Sequence, residues 1–308
     1  MKIFRRVGGR EPRQVAQEFA EAVQPGDAER AGRLAQELTE VLPDSFGAWF
    51  EAGMYSKARR QEWADSAARN RRAAELISDE ERREFGGANP AAWNLGIAAT
   101  ALGDWATARW AWAEYGIDTI EPGVEPIDQH FGLTPIRLNP DRPSLTHQVV
   151  PAYGDTEVVW CWRRSPAHAV ISNVPLPESG HRFRDVVLHD GEPKGHRNDV
   201  PVFDELVRLE ESGLPTWQAQ VVGADADDKE ALADLAGPAG LGVDEWSGIR
   251  LMCSECSHGS PEAHQHAPVA ADAAVLGLAG SEADLQSCLD TWLAERPHVT
   301  LSELTFLW

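Results

Sequence analysis

The chain has 308 residues, 43 % of them hydrophobic and 25 % charged. That is ordinary globular usage and length enough for about two domains. Its 28 basic and 49 acidic residues leave a net charge of −21, which argues against nucleic acid or an anionic membrane as the main partner.

The start, Met-Lys-Ile-Phe-Arg-Arg, is basic but no apolar run follows, so it does not read as a signal peptide. The apolar stretch 273–280 is too short to span a bilayer. Four Cys in so long a chain do not make a disulfide scaffold, and a reducing cytoplasm is the simplest expectation.

Two halves differ. Residues 1–122 hold 16 basic and 20 acidic residues, against 12 and 29 in the rest, and all His and Cys lie in the second part. The sequence predicts an α+β protein of two domains. Residues 1–122 form helical hairpins, 123–155 a Pro-rich connector, and 156–308 an α+β domain. Pro122, Pro126, Pro135, Pro140, Pro143 and Pro151 block long helices in the connector.

In the first domain, helices are expected over 12–23 and 28–41 around a Gly26-Asp27 turn, and over 92–102 and 105–115 around Gly103-Asp104. Segments 46–59 and 62–76 form a hairpin between them. Ala31 and Ala108 each fall five residues after the turn Gly, where a small side chain lets antiparallel helices approach. Trp49 with Gly53, Trp93 with Leu95-Gly96, the two Gly-Asp turns, Ala31, Ala73, Ala108 and Pro43 resemble the tetratricopeptide repeat family. The hairpin spacing is near that family's period of about 34 residues, with an insertion of about nine within 78–89. The resemblance covers roughly residues 12–122, and Phe19-Ala20 departs from its Leu-Gly.

The resemblance implies a short solenoid whose concave face takes a protein or peptide. On it, Phe50, Met54, Lys57, Trp93, Ile97 and Thr100 would line the groove. The family's carboxylate-clamping set is not matched, so a ligand would be held by apolar contact. Alternatively the chain's own second half covers the groove.

In the second domain, Val158, Trp160 and Trp162 alternate as a strand. Further strands are expected over 168–174, 183–189 and 216–223, and a helix over 202–211 with Phe203, Leu206 and Val207 on one face. A shift of 82 residues lays these three on Leu285, Cys288 and Leu289, and Pro215 on Pro297. Two similar β-β-α-β modules are the expectation.

The strongest chemical signal is Cys253-Ser-Glu-Cys256-Ser-His258-Gly259, followed by His264 and His266. Two thiolates on a Gly-containing turn and two imidazoles sharing a face of extended chain suit a tetrahedral Zn²⁺. The expected ligands are Cys253, Cys256, His264 and His266, with His258 as the competing nitrogen. Under the shift, Cys253 and Cys256 fall on Ile171 and Val174, which favours a structural metal over a catalytic one. The bland alternative is buried thiols and surface imidazoles without metal.

Other features read structurally. Cys161 and Cys288 sit at core spacing as packed thiols. His181, His189 and His196 with Asp190 are spread over a strand and two turns, more as surface residues than as a second site. Asp225, Asp227 and Asp228 lack the Gly and Glu of a Ca²⁺ loop and suit helix capping. The glycine run 237–242 lacks the Lys-Ser/Thr of a phosphate loop.

No catalytic residue is assigned. The leading expectation is a non-enzymatic adaptor or regulator with a structural zinc. The alternative is a zinc-dependent, hydrolase-like enzyme with Glu255 or Glu262 as base beside an open zinc position. A redox role for Cys253 and Cys256 lacks a thioredoxin-like context.

Overall fold

The computed structural model describes residues 10–24, 26–57, 62–140, 157–197, 199–249 and 273–308. The chain divides into two compact units, Met1–Asp128 and Gln129–Trp308.

The first unit is helical: α1 (Pro12–Val23), α2 (Ala28–Val41), α3 (Phe46–Tyr55), α4 (Trp63–Leu76), α5 (Asp79–Glu84), α6 (Pro90–Ala101) and α7 (Trp105–Tyr115). Its punctuation is chemical. Gly26 and Gly103 take φ of +77° and +69°, a left-handed conformation that costs Gly little. The Asp after each then caps the next helix: Asp27 accepts from Arg30 N and Asp104 from Thr107 N. Ser45 and Asn89 cap α3 and α6 in the same way.

Helices α1/α2, α3/α4 and α6/α7 form three hairpins; α2 also packs on α3, α4 on α6, and α3 touches α6. Close approach depends on small residues. A Cβ on Gly96 would stand 2.4 Å from the Trp112 ring, and one on Gly53 2.6 Å from Asn70. Ala31 and Ala108 are fully buried, as the spacing predicts. The insertion carries α5, opened by a Ser78/Glu81 capping box. Beyond α7, Arg109 holds the following segment, donating from Nε to Glu121 O (2.8 Å) and from Nη1 to Glu125 O (2.7 Å).

The second unit has two sheets. The first contains β1 (Leu133–Arg137), β2 (Val158–Arg163), β3 (His168–Ile171), β4 (Val186–His189), β5 (Gly195–Arg197) and β6 (Val200–Glu210). The order is β1-β2-β3-β4-β6-β5, and β1 also pairs in parallel with β6, Ile136 beside Phe203. That pairing closes a five-stranded barrel with β5 as a flap on β6. Ile136, Leu138, Val159, Cys161, Ala169, Ile171 and Val187 fill it.

The second sheet runs β7 (Thr216–Val222), α8 (Ala226–Ala236), β8 (Gly242–Glu245), the short α9 (Trp246–Ile249), β9 (Ala273–Ala279), α10 (Glu282–Ala294), β10 (Thr300–Leu301) and β11 (Thr305–Phe306). The order β10-β7-β9-β8 is antiparallel throughout, with β11 also on β7. This is the split β-α-β arrangement, and α8 and α10 pack on one face through Leu232, Leu285, Leu289 and Trp292. On the other face Trp246 lies over Gly277 and joins Val174, Leu176 and Phe183 of the barrel loops. Its Nε1 donates to Val174 O at 2.9 Å.

Three expectations change. The segment expected as a helix over 202–211 is the long strand β6. The duplication of β-β-α-β modules is therefore not the plan adopted. Phe203, Leu206 and Val207 lie on a barrel strand, while Leu285, Cys288 and Leu289 lie on α10, and β7 belongs to the second sheet. The stretch expected as connector contains β1, so it supplies a barrel strand. The α+β class and the helix-then-strand division stand as expected. Among the described residues no helix is long and apolar enough to cross a membrane.

Candidate functional site

The six residues expected to line the groove lie on α3, on the residues just after it, and on α6. They divide by burial. Phe50, Met54 and Trp93 are half-buried, whereas Lys57, Ile97 and Thr100 are buried. Phe50 stacks on Phe46 at 5.3 Å, and Trp93 meets Trp112 edge-on at 5.2 Å. Lys57 Nζ donates to Asn94 Oδ1 and Asn94 Nδ2 to Met54 Sδ, both at 2.9 Å. Thr100 returns its hydroxyl to Gly96 O at 2.7 Å. Asn94 thus ties the α3 side to α6. Its signal in the sequence is a lone amide amid the apolar run of α6.

Cys253, Cys256, His258, His264 and His266 lie outside the described residues, as do Glu255 and Glu262, in the segment that joins α9 to β9. Among the described residues no group of three or more His, Cys, Asp and Glu could hold a metal ion.

His181, His189 and His196 make separate contacts. His181 Nε2 lies 2.6 Å from Glu205 Oε1, with its Nδ1 3.1 Å from Ser179 O. His189 turns its Nδ1 to Asp190 O, so Asp190 contributes backbone and not carboxylate. His196 is exposed on β5. Asp225 and Asp228 form a capping box on α8, as their spacing predicts. Cys161 is buried in the barrel, where burial pushes its thiol well up. Cys288 is half-buried on α10.

Sequence reasoning missed two buried carboxyls at the join between barrel and sheet. Burial pushes Glu157 up to about 8, against the pull of its bond from Leu176 N at 2.9 Å. It pushes Asp244 up to about 6, although Asp244 accepts from Val174 N and from Asn173 Nδ2 (2.9 Å). From one side Glu157, and from the other Asp244, they grip the loop after β3. Nothing in local spacing announces this, because the partners are far apart in the chain.

No protein-family model matches the chain, and no curated protein matches it in sequence.

Proposed function

We propose that the chain is a non-enzymatic adaptor or regulator that takes a protein or peptide on a tetratricopeptide-like helical array. The observation that carries this reading is the three stacked helical hairpins, with α3 beside α6 and Phe50, Met54 and Trp93 left half-buried on them. Half-buried aromatic and Met side chains are the anchors that binding surfaces use. A structural Zn²⁺ held by Cys253, Cys256, His264 and His266, with His258 as the alternative ligand, would brace the segment between α9 and β9. The setting is a reducing cytoplasm, which keeps such thiols available.

The groove is tested with a partner first captured by the full chain and then purified. Met54→Glu should weaken its binding at least tenfold while the far-ultraviolet circular dichroism stays native. Unchanged affinity refutes the groove. Trp93, packed on Trp112 and Tyr115, and Phe50, packed on Phe46 and Phe85, are poorer probes, because these contacts make them part of the fold as well. Elemental analysis should find about one zinc per chain, lost in Cys253→Ser. Protein purified without chelator and free of zinc removes the metal part of the reading. A water molecule on the zinc would turn the reading to the hydrolase-like enzyme.

A further inference from the structure

Two long polar side chains converge inside one end of the barrel. β2 turns Val159 and Cys161 into the core, so Arg163, two residues further, points the same way. β4 turns Val187 inward and hence His189. Between these strands lie Ala169, paired with Arg163, and Ala167, whose carbonyl accepts from His189 N at 2.8 Å; His168, between the two, is buried with its Nδ1 2.6 Å from Ser165 Oγ. Both alanines are fully buried, and each brings only a methyl group to this corner. Phe203 closes the third side. Its ring stacks on His189 at 5.3 Å, and the Arg163 guanidinium carbon lies 5.8 Å from its centre.

The hydrogen-bond inventory of this corner is unbalanced. His189 is fully buried. Its Nδ1 lies 2.7 Å from the Asp190 carbonyl, which can only accept, so Nδ1 carries the hydrogen. Burial, aided by Arg163 and His168 and opposed by Asp190, pushes the ring down to about 3, so it stays neutral. Nε2 is then a bare acceptor, and no donor among the described residues reaches it. Arg163 gives an Nη2 hydrogen to Pro166 O at 3.0 Å, but its buried Nε–H has no acceptor among the described residues. A buried acceptor and a buried donor, both unmatched among the described residues, thus belong to side chains that neighbour the same Phe203 ring. Such groups in folded proteins are nearly always satisfied.

We propose that this corner of the barrel binds a single hydroxyl oxygen, that of a water molecule, which accepts from Arg163 Nε–H and donates to His189 Nε2. An anion would suit Arg163 but would meet the lone pair of a neutral imidazole. A cation would suit the lone pair but would meet the guanidinium. A neutral O–H satisfies both, and buried polar groups of this kind are commonly bridged by water.

The test uses the full chain. Arg163→Met removes the donor and keeps the stem. His189→Phe removes the acceptor and keeps a ring on Phe203. Each change alone strands the other atom and should raise the opening constant of the barrel, read by amide exchange at Ala169, on the order of tenfold. The double change strands neither, and should open no more than the worse single. Effects that multiply, to about a hundredfold, overturn the shared oxygen. Nitrogen NMR should show His189 Nε2 unprotonated yet hydrogen-bonded from about pH 8 to about pH 5. A protonated Nε2 in that range means a bound anion and overturns the proposal. A crystal structure should place one oxygen between the two nitrogens; a direct bond between them overturns it equally.

Discussion

Gly277→Ala probes the contact that holds the barrel to the sheet. A Cβ there would stand 2.0 Å from Trp246 Cε2 and 2.4 Å from its Nε1. Ordinary carbon contacts lie at about 3.5–4.0 Å, so the indole must move by roughly 1.5 Å. It has nowhere to go, being fully buried among Val174, Leu176, Phe183 and Ala279. Overpacking of this kind costs about 1–3 kcal/mol. Moving the indole also breaks its hydrogen bond to Val174 O, about 0.5–1.5 kcal/mol more. Alanine recovers about 0.5–1 kcal/mol over glycine in a strand. The net loss is about 2 kcal/mol, or a shift of about 1 M in a urea midpoint at an m-value near 2 kcal/mol/M. The assay is urea unfolding of the full chain followed by circular dichroism. Trp246→Leu in the same chain should return part of the loss, because the smaller side chain makes room for the methyl. A Gly277→Ala chain as stable as the native one, or one whose loss simply adds to that of Trp246→Leu, would refute the packing argument.

Glu157 and Asp244 hold protons in the folded chain that the unfolded chain has released, since burial raises them from 4.5 to about 8 and from 3.8 to about 6. Their contribution to stability is therefore full at low pH and falls as pH rises, from about 3.8 to about 6 for Asp244 and from about 4.5 to about 8 for Glu157. Glu157→Gln should flatten that fall in urea midpoints measured across this range, and parallel profiles for the two chains would contradict it. Arg109→Ala should expose residues 117–128 to protease, because it removes both carbonyl contacts that hold the segment to α7. An unchanged cleavage pattern would show that Ile127, 1 % exposed, is anchor enough.

The helical unit was legible because its signals are local. A Gly that permits positive φ, an Asp that caps, and an Ala or Gly at the helix contact all act within a few residues. Strand β6 was not. It pairs with β4 through two register shifts: Leu188 meets Val207 but His189 meets Glu205, and Val187 meets Arg208 but Val186 meets Glu210. Each shift adds a residue and breaks the period of two. Apolar residues at 203, 206 and 207 then mimic the face of a helix. β1 was hidden by Pro135, which normally argues against an interior strand. Its partner across β2, Trp160, turns its N–H to Asn173 Oδ1 (2.6 Å) and its carbonyl to Ser172 N (2.9 Å), so that position asks nothing of the proline. The proposed zinc ligands are a spacing pattern in the sequence, whereas the Arg163–His189 corner needs the barrel to exist before its parts are neighbours.

Barrel closure also sets a timetable. The hairpins α1/α2, α3/α4 and α6/α7 can each form as soon as their own residues emerge from the ribosome. Strand β1 cannot be completed so early. Thr134 donates its hydroxyl to Pro201 O, 67 residues downstream, and the parallel partner of Ile136 is Phe203. At about 5–20 residues per second, β1 waits roughly 3–13 s for the strand that seals it. During that interval its open side is a template for stray strand pairing. Pro135, which offers no N–H, and the charged Arg137 make it a poor one. The proline that hides the strand from a reader of the sequence also shields it from other chains during synthesis.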